Sequence, residues 1–253
     1  MLSVFICDDD PRYQKMMYDC IQDYINMEHL DIEVAICTSD PNKILQYIKG
    51  VRVNGIYFLD VELDAEHNGL ELATAIRQHD PRGFVVFITA HPQYMPLTFE
   101  FKLEALAYIQ KEADADVRKK IRSAIDSANQ KHIARPDEGS YIFQSQNGIK
   151  VSCSFDDILF FEADSSGTNR VILHTKKRLY VFYGSLEKIL ADLPVGQFYR
   201  CHKSCIVNVG NLTKRCRDAL SQGNDRMPMQ DGSECYVSSR KKRGLINLLN
   251  SVS

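Results

Sequence analysis

Long apolar runs are missing from this sequence. None approaches the roughly 20 residues that a helix needs to cross a bilayer, so no membrane insertion is expected. An export leader is missing too: Met1-Leu2-Ser3-Val4-Phe5-Ile6 carries no basic residue and meets three aspartates almost at once, unlike a signal peptide. A cytoplasmic location is the expectation. The eight cysteines, Cys7, Cys20, Cys37, Cys153, Cys201, Cys205, Cys216 and Cys235, include no Cys-x-x-Cys pair, which argues against a zinc ribbon or a thioredoxin-type site. Reduced thiols are the simplest expectation for such a compartment. No glycine-rich phosphate loop is present, so no nucleotide site is expected. The second half lacks a helix–turn–helix stretch with a basic second helix. It also lacks paired carboxylates, a nucleophile–base pair and a metal-ligand cluster, and an enzyme is not expected.

The composition, 44% apolar and 25% charged, is that of a globular protein, and 253 residues suffice for two domains. A net charge of −2 hides an asymmetry. Residues 1–130 hold 13 basic and 21 acidic residues, and residues 131–253 hold 18 and 12. An acidic half followed by a basic half suggests separate domains, the second with a polyanion as partner.

The first half alternates short apolar runs with helical periodicity. Strands are expected over 2–7, 32–37, 56–60 and 84–89, and a fifth over 107–109 runs out at Lys111. Asp10-Pro11 and Asp40-Pro41 read as helix N-caps followed by proline in the first turn, and Asp80-Pro81 closes a helix over 70–79. The last helix is expected over 117–128, with Ile121, Ala124, Ile125 and Ala128 on one face. Five strands alternating with helices make an α/β doubly wound five-stranded parallel sheet. In such sheets reactive groups lie beyond the carboxyl ends of the strands. Those ends carry Asp8, Asp9, Asp60, Thr89 and Lys111. Carboxylates forced together repel, and a hard cation such as Mg²⁺ suits them because it keeps waters available for a phosphate. Lys111 and Thr89 could then hold phosphoryl oxygens.

This constellation resembles the receiver domain of two-component response regulators, a flavodoxin-like fold, over about the first 130 residues. The resemblance implies Asp60 as phospho-acceptor, Asp8 and Asp9 as the acidic metal pair, and Glu62 as a metal ligand through its backbone carbonyl. It implies Thr89 and Tyr108 as the switch pair, Lys111 as the family's lysine, and a sensor histidine kinase as partner. Two positions depart from the pattern. Glu112 stands where receivers carry proline, and Asp64-Ala65-Glu66-His67 lacks the usual proline. His91 is read as a loop residue.

Residues 129–140 lose periodicity and read as a hydrophilic linker, which sets a receiver over 1–128 and a second domain over 141–253. Beyond the linker, short strands are expected over 141–145, 149–153, 158–162, 170–175, 178–183, 198–201, 205–208 and 235–237. Asn147-Gly148, Ser166-Gly167, Gly223-Asn224 and Asp231-Gly232 punctuate them. Helices are expected over 185–193 and 240–249. This mostly β half resembles the LytTR DNA-binding domain. The match is carried by residues 155–162, Phe182-Tyr183-Gly184-Ser185-Leu186, Val237-Ser238-Ser239-Arg240 and, most specifically, Arg200-Cys201-His202-Lys203-Ser204. The whole chain then resembles the AgrA/ComE-type response regulators of Gram-positive peptide quorum sensing.

That resemblance implies double-stranded DNA as target and a homodimer on activation. It implies base reading by Asn169, Lys203 and Arg240, residue types that reach adenine or guanine edges. His202, Ser204, Arg170, Lys241 and Lys242 are the candidates for phosphate contacts. Lys241-Lys242-Arg243 is equally consistent with a solvated helix face, and His202 with a structural histidine. Cys201 and Cys235 lie on segments that could be sheet neighbours; a redox-switch disulfide is one reading, buried thiols the more frequent case. An RNA- or protein-binding output, and a regulator that works without phosphate, stay open.

Overall fold

The computed structural model describes residues 1–51, 53–63, 68–134, 139–164 and 169–251. The chain divides into two compact units, Met1–Arg135 and Pro136–Ser253.

The first unit runs β1 (Leu2–Cys7), α1 (Pro11–Met27), β2 (Ile32–Thr38), α2 (Pro41–Gly50), β3 (Gly55–Leu59), α3 (Gly69–His79), β4 (Phe84–Thr89), α4 (Met95–Glu100), β5 (Ala107–Gln110) and α5 (Asp114–Ala134). The sheet order is β2-β1-β3-β4-β5, and every pairing is parallel. The connection reverses direction between β1 and β3, where doubly wound sheets place their sites. Side-chain alternation explains the two cores. Ile56, Phe58, Val86 and Ile88 join Met17, Ile21, Ile121 and Ile125 beneath α1 and α5. Tyr57, Leu59, Val85 and Phe87 join Ile44, Leu72 and Ile76 beneath α2 and α3. Each fully buried aliphatic or aromatic side chain contributes about 1.5–3 kcal/mol relative to its exposed state.

The caps fix where the helices begin. Asp10 accepts from the Arg12 N–H at 2.8 Å, and Asp40 from the Asn42 N–H at 2.9 Å. Asn68 and Glu71 form a reciprocal capping box at α3. Helix α5 continues to Ala134, well past the expected end at 128 and into the stretch read as linker. No helix breaker occurs before Pro136, and Lys131 and His132 in the last turn favour the helix dipole. Ser140 already belongs to a strand.

The second unit contains β6 (Ser140–Gln144), β7 (Lys150–Ser154), β8 (Ile158–Ala163), β9 (Arg170–Thr175), β10 (Leu179–Tyr183), α6 (Leu186–Asp192), β11 (Phe198–His202), β12 (Cys205–Asn208), α7 (Lys214–Ser221), β13 (Arg226–Pro228), β14 (Glu234–Tyr236) and α8 (Ser239–Ser251). Its main sheet is antiparallel in the order β10-β9-β8-β12-β11. Phe161, Leu173, Phe182 and Ile206 face β6, β7 and α6. Phe160, Cys205 and Val207 face α7, α8 and the β13–β14 hairpin. Helix α7 and strand β13 were not expected. Only Cys216, Ala219 and Leu220 of α7 are buried, among several cations, and β13 is three residues long and ends in proline. Among the described residues no helix is long and apolar enough to cross a membrane.

Candidate metal centre and nucleic-acid interface

The carboxyl ends of β1 and β3 bring Asp8, Asp9 and Asp60 together, with one carboxylate oxygen from each lying within 4.8 Å of the others. Asp8 is wholly buried and Asp60 nearly so, whereas Asp9 is half-buried. The N–H of Asp60 donates to the carbonyl of Cys7 at 2.8 Å, so the sheet ladder itself sets the spacing of the two strand ends. Lys111, just past β5, reaches back between them. Its ammonium lies 2.6 Å from Asp60 Oδ2 and 2.8 Å from Asp8 Oδ2.

Burial dominates the titration of Asp8 and lifts its carboxyl to about 6, although the Lys111 ammonium pulls the other way. Lys111 is shifted upward: its two carboxylate partners outweigh the burial that opposes its charge. Burial first, then Asp8 and other nearby carboxylates, pushes the Cys7 thiol up to about 12. One ammonium therefore serves a cluster with more negative than positive charge. The donor set, three carboxylates at close range, suits Mg²⁺, which takes few protein oxygens at roughly 2.1 Å and retains waters.

Thr89 ends β4 and is fully buried. Its hydroxyl accepts from the His91 N–H at 3.2 Å, and its carbonyl accepts from the Lys111 N–H at 2.8 Å. Tyr108 is half-buried and donates its hydroxyl to the His91 carbonyl at 2.7 Å. Burial, then the Asp60 charge, pushes that phenol up to about 12. Glu62 directs its side chain to His91 Nε2 at 2.9 Å and to the Tyr94 hydroxyl at 2.9 Å, an exposed link between the loops that follow β3 and β4. Sequence reading assigned no role to His91 or Tyr94, and it missed Tyr13, whose ring lies 4.4 Å from the Lys111 ammonium. Nothing in the spacing of α1 marks Tyr13. The departure at residues 64–67 lies outside the described residues.

In the second unit, three expected DNA-contacting segments meet at one edge. The Ala163 N–H donates to the Ser204 carbonyl at 2.8 Å, and the Ser238 N–H donates to the Cys201 carbonyl at 2.9 Å. These bonds join the end of β8, the β11–β12 turn and the start of α8. Asn169 sits in the left-handed region at φ 50°, which Asn tolerates better than most residues. Its carbonyl is fixed by the Gly184 N–H at 2.8 Å. The turn Ser166-Gly167 lies outside the described residues. Asn169, Lys203, Arg240 and Lys241 are exposed.

The remaining candidates have partners inside the unit. His202 Nδ1 lies 2.7 Å from Ser204 Oγ, so these two side chains brace the turn and Lys203 projects from it. Arg170 faces Asp164 at 3.4 Å. The Lys242 ammonium is held by Asp225 at 2.7 Å and by the Gly223 carbonyl, with its side chain 15% exposed. Cys201 and Cys235 are buried with their sulfurs 3.7 Å apart. Hydrogen bonding to Cys201 and Cys205, with burial, holds the Cys235 thiol well above its ordinary value.

Residues 4–134 match the response regulator receiver domain, and residues 149–250 match the LytTr DNA-binding domain. The chain is a response regulator with a LytTR DNA-binding domain. This response regulator is 32% identical over 241 residues to accessory gene regulator protein A of Staphylococcus epidermidis, across 94% of this chain and 98% of that protein. The protein of the same name from Staphylococcus aureus matches with the same identity and coverage. Among solved structures, the response regulatory domain of protein mrkE from Klebsiella pneumoniae aligns at 25% identity. That alignment covers 51% of this chain and 99% of that one, with a TM-score of 0.43. A response regulator of this family is a DNA-binding regulator and not an enzyme.

Proposed function

We propose that Asp60 accepts a phosphoryl group from a sensor histidine kinase and that the LytTR unit converts this event into gene control. The observation that carries the reading is the Lys111 ammonium shared between Asp8 and Asp60. Asp60 is the carboxylate from which phosphoryl oxygens would extend toward that ammonium. In the transfer, the P–N bond of a phosphohistidine breaks and a P–O bond to Asp60 forms. Asp8, Asp9 and Asp60, with the Glu62 carbonyl, would hold Mg²⁺, which when bound offsets the charge of the incoming phosphoryl group. Lys111 turns from the carboxylates to a phosphoryl oxygen, and the Thr89 hydroxyl moves toward another. Thr89 and Tyr108 both bond the backbone of His91, so a shift of either is felt by the loop that leads into α4.

Phosphorylation then favours a homodimer. Two LytTR units on one duplex combine their affinities through effective concentration, which suits repeated promoter sites. Lys203, Arg240 and Asn169, exposed and of residue types that reach base edges, read bases, while Lys241, and Arg170 once it leaves Asp164, meet phosphates. The cell location is cytoplasmic, and the setting implied by resemblance to the AgrA/ComE type is peptide quorum sensing. The test is a gel shift of the full chain on a duplex selected from a random pool and on matched RNA, with and without acetyl phosphate and Mg²⁺. The duplex is expected to shift at lower protein concentration after phosphorylation. Equal binding to RNA, or no response to acetyl phosphate, contradicts the reading.

A further inference from the structure

Strand β11 carries an irregularity that the base-reading role leaves unexplained. Tyr199 pairs with Val207 and His202 with Cys205, so Arg200 and Cys201 together stand opposite the single residue Ile206. That is a β-bulge, a feature that re-aims a side chain and bends its strand. The side chain re-aimed is Arg200. Its Nε donates to the carbonyl of His202 at 2.9 Å, and its Nη2 donates to the carbonyl of Lys203. No carboxylate among the described residues lies within ion-pair distance of this guanidinium. One planar fork thus grips two successive carbonyls of the turn from which Lys203 projects, while His202 and Ser204 close the turn from the side-chain face.

We infer that Arg200 is a positioning residue for DNA reading: it fixes the backbone of the β11–β12 turn so that Lys203 is presented to a base edge in one orientation. The inference rests on Lys203 reading bases. The geometry gives it chemical content. A guanidinium can donate two parallel bonds in a fixed plane, whereas an ammonium is a point donor that cannot hold two carbonyls in a set relation. A loosely held turn still brings positive charge to the DNA. Non-specific attraction depends on that charge, and base discrimination depends on the donor sitting within a fraction of an ångström of its acceptor.

The test uses the full chain and two probes, a duplex selected by the wild-type protein from a random pool and a shuffled duplex of the same length, each titrated across a range of salt. Arg200→Lys and Arg200→Gln are expected to lower affinity for the selected duplex by about tenfold. The melting temperature is expected to stay unchanged in both variants. In Arg200→Lys, affinity and salt dependence on the shuffled duplex are expected to match wild type. In a Lys203→Ala background, Arg200→Lys is expected to cost little further discrimination, because both act through one contact. If Arg200→Lys keeps wild-type discrimination while Arg200→Gln flattens the salt slope by about 0.9, Arg200 is a phosphate contact and the inference fails. A loss of melting temperature with equal losses on both duplexes makes Arg200 merely structural and also overturns it. If Lys203→Ala leaves base preference intact, the base-reading role itself fails, an outcome separable from the others.

Discussion

Lys111 binds Asp60 across the mouth of the sheet with 2.6 Å between nitrogen and oxygen, while the same nitrogen sits 2.8 Å from Asp8. Its side chain is only 8% exposed and that of Asp8 is not exposed at all. Removing one partner of a buried pair costs about 3–5 kcal/mol, although protonation of Asp8 offsets part of that. Lys111→Ala is therefore expected to lower the melting temperature. Added Mg²⁺ should recover a larger increment in the variant than in wild type. Phosphorylation by acetyl phosphate should be at least about tenfold slower, since a charge-assisted contact to the phosphoryl group is lost. An identical Mg²⁺ response in both proteins would show that Lys111 and the cation do not share these carboxylates.

Tyr108 holds the carbonyl of His91. Tyr108→Phe removes one hydrogen bond, at a cost of about 1 kcal/mol, and frees the loop before α4. Faster amide exchange over residues 91–94 is expected with the rest of the sheet unchanged. The phenol is pushed up to about 12, by burial and then by Asp60. The folded state therefore keeps its proton above the ordinary value of 10. The unfolded chain releases it first, so this contribution is complete below pH 10 and is lost as pH climbs toward 12. The variant should show a shallower fall in stability across that interval, measured by denaturant melts.

Asp80 supplies a contrast, because it holds the fold and lies outside the acidic cluster. It is buried and accepts from the Tyr57 hydroxyl at 2.9 Å and from the Gly55 N–H at 2.8 Å. Both donors lose their partner in Asp80→Ala, at a cost of about 1–3 kcal/mol each. Per folded molecule, the yield of phosphorylated protein should match wild type. A variant that folds normally but no longer accepts phosphate would place Asp80 in the chemistry.

Much of this was legible in the sequence because it depends on strand ends. The short apolar runs before Asp8 and Asp60, alternating with helical periodicity, read as parallel strands, and parallel strands bring their carboxyl ends to one side of the sheet. The Asp10, Asp40 and Asn68 caps follow from local chemistry in the same way. Asp80 looked like a helix closer, and nothing local shows that it turns inward to Tyr57. Tyr13, His91 and Tyr94 were equally hidden, since their partners come from other elements and no spacing encodes them. In the second unit the Arg200 to Ser204 block was visible as a motif. Lys203 was read there as the outward-reaching residue and His202 as either a phosphate contact or a structural histidine, but the grip of Arg200 on the carbonyls of His202 and Lys203 was hidden, because it comes with a bulge that no spacing encodes. Lys242 looked like its neighbour Lys241 and was separated from it only by Asp225 and Gly223.

Tyr199 and Gly244 couple β11 to α8. The Tyr199 hydroxyl donates to the Lys241 carbonyl at 3.3 Å, and a Cβ on Gly244 would lie 2.3 Å from that hydroxyl oxygen. Gly244→Ala should displace the ring or the helix, shift Arg240 and weaken binding to the selected duplex several-fold, on the order of 1 kcal/mol. Tyr199→Phe in that background removes the clashing oxygen and should restore part of the loss. No recovery would mean that the helix is displaced for another reason.

The central claim is that Asp60 is the group that carries the phosphoryl signal. The most direct measurement is intact-protein mass spectrometry after incubation with acetyl phosphate and Mg²⁺, with borohydride reduction to mark the acyl phosphate. One phosphoryl group mapping to Asp60 is expected in wild type, none in Asp60→Asn, and none when Mg²⁺ is removed with a chelator. A protein that gains no phosphoryl group, or an Asp60→Asn variant that gains one as readily, would contradict the account.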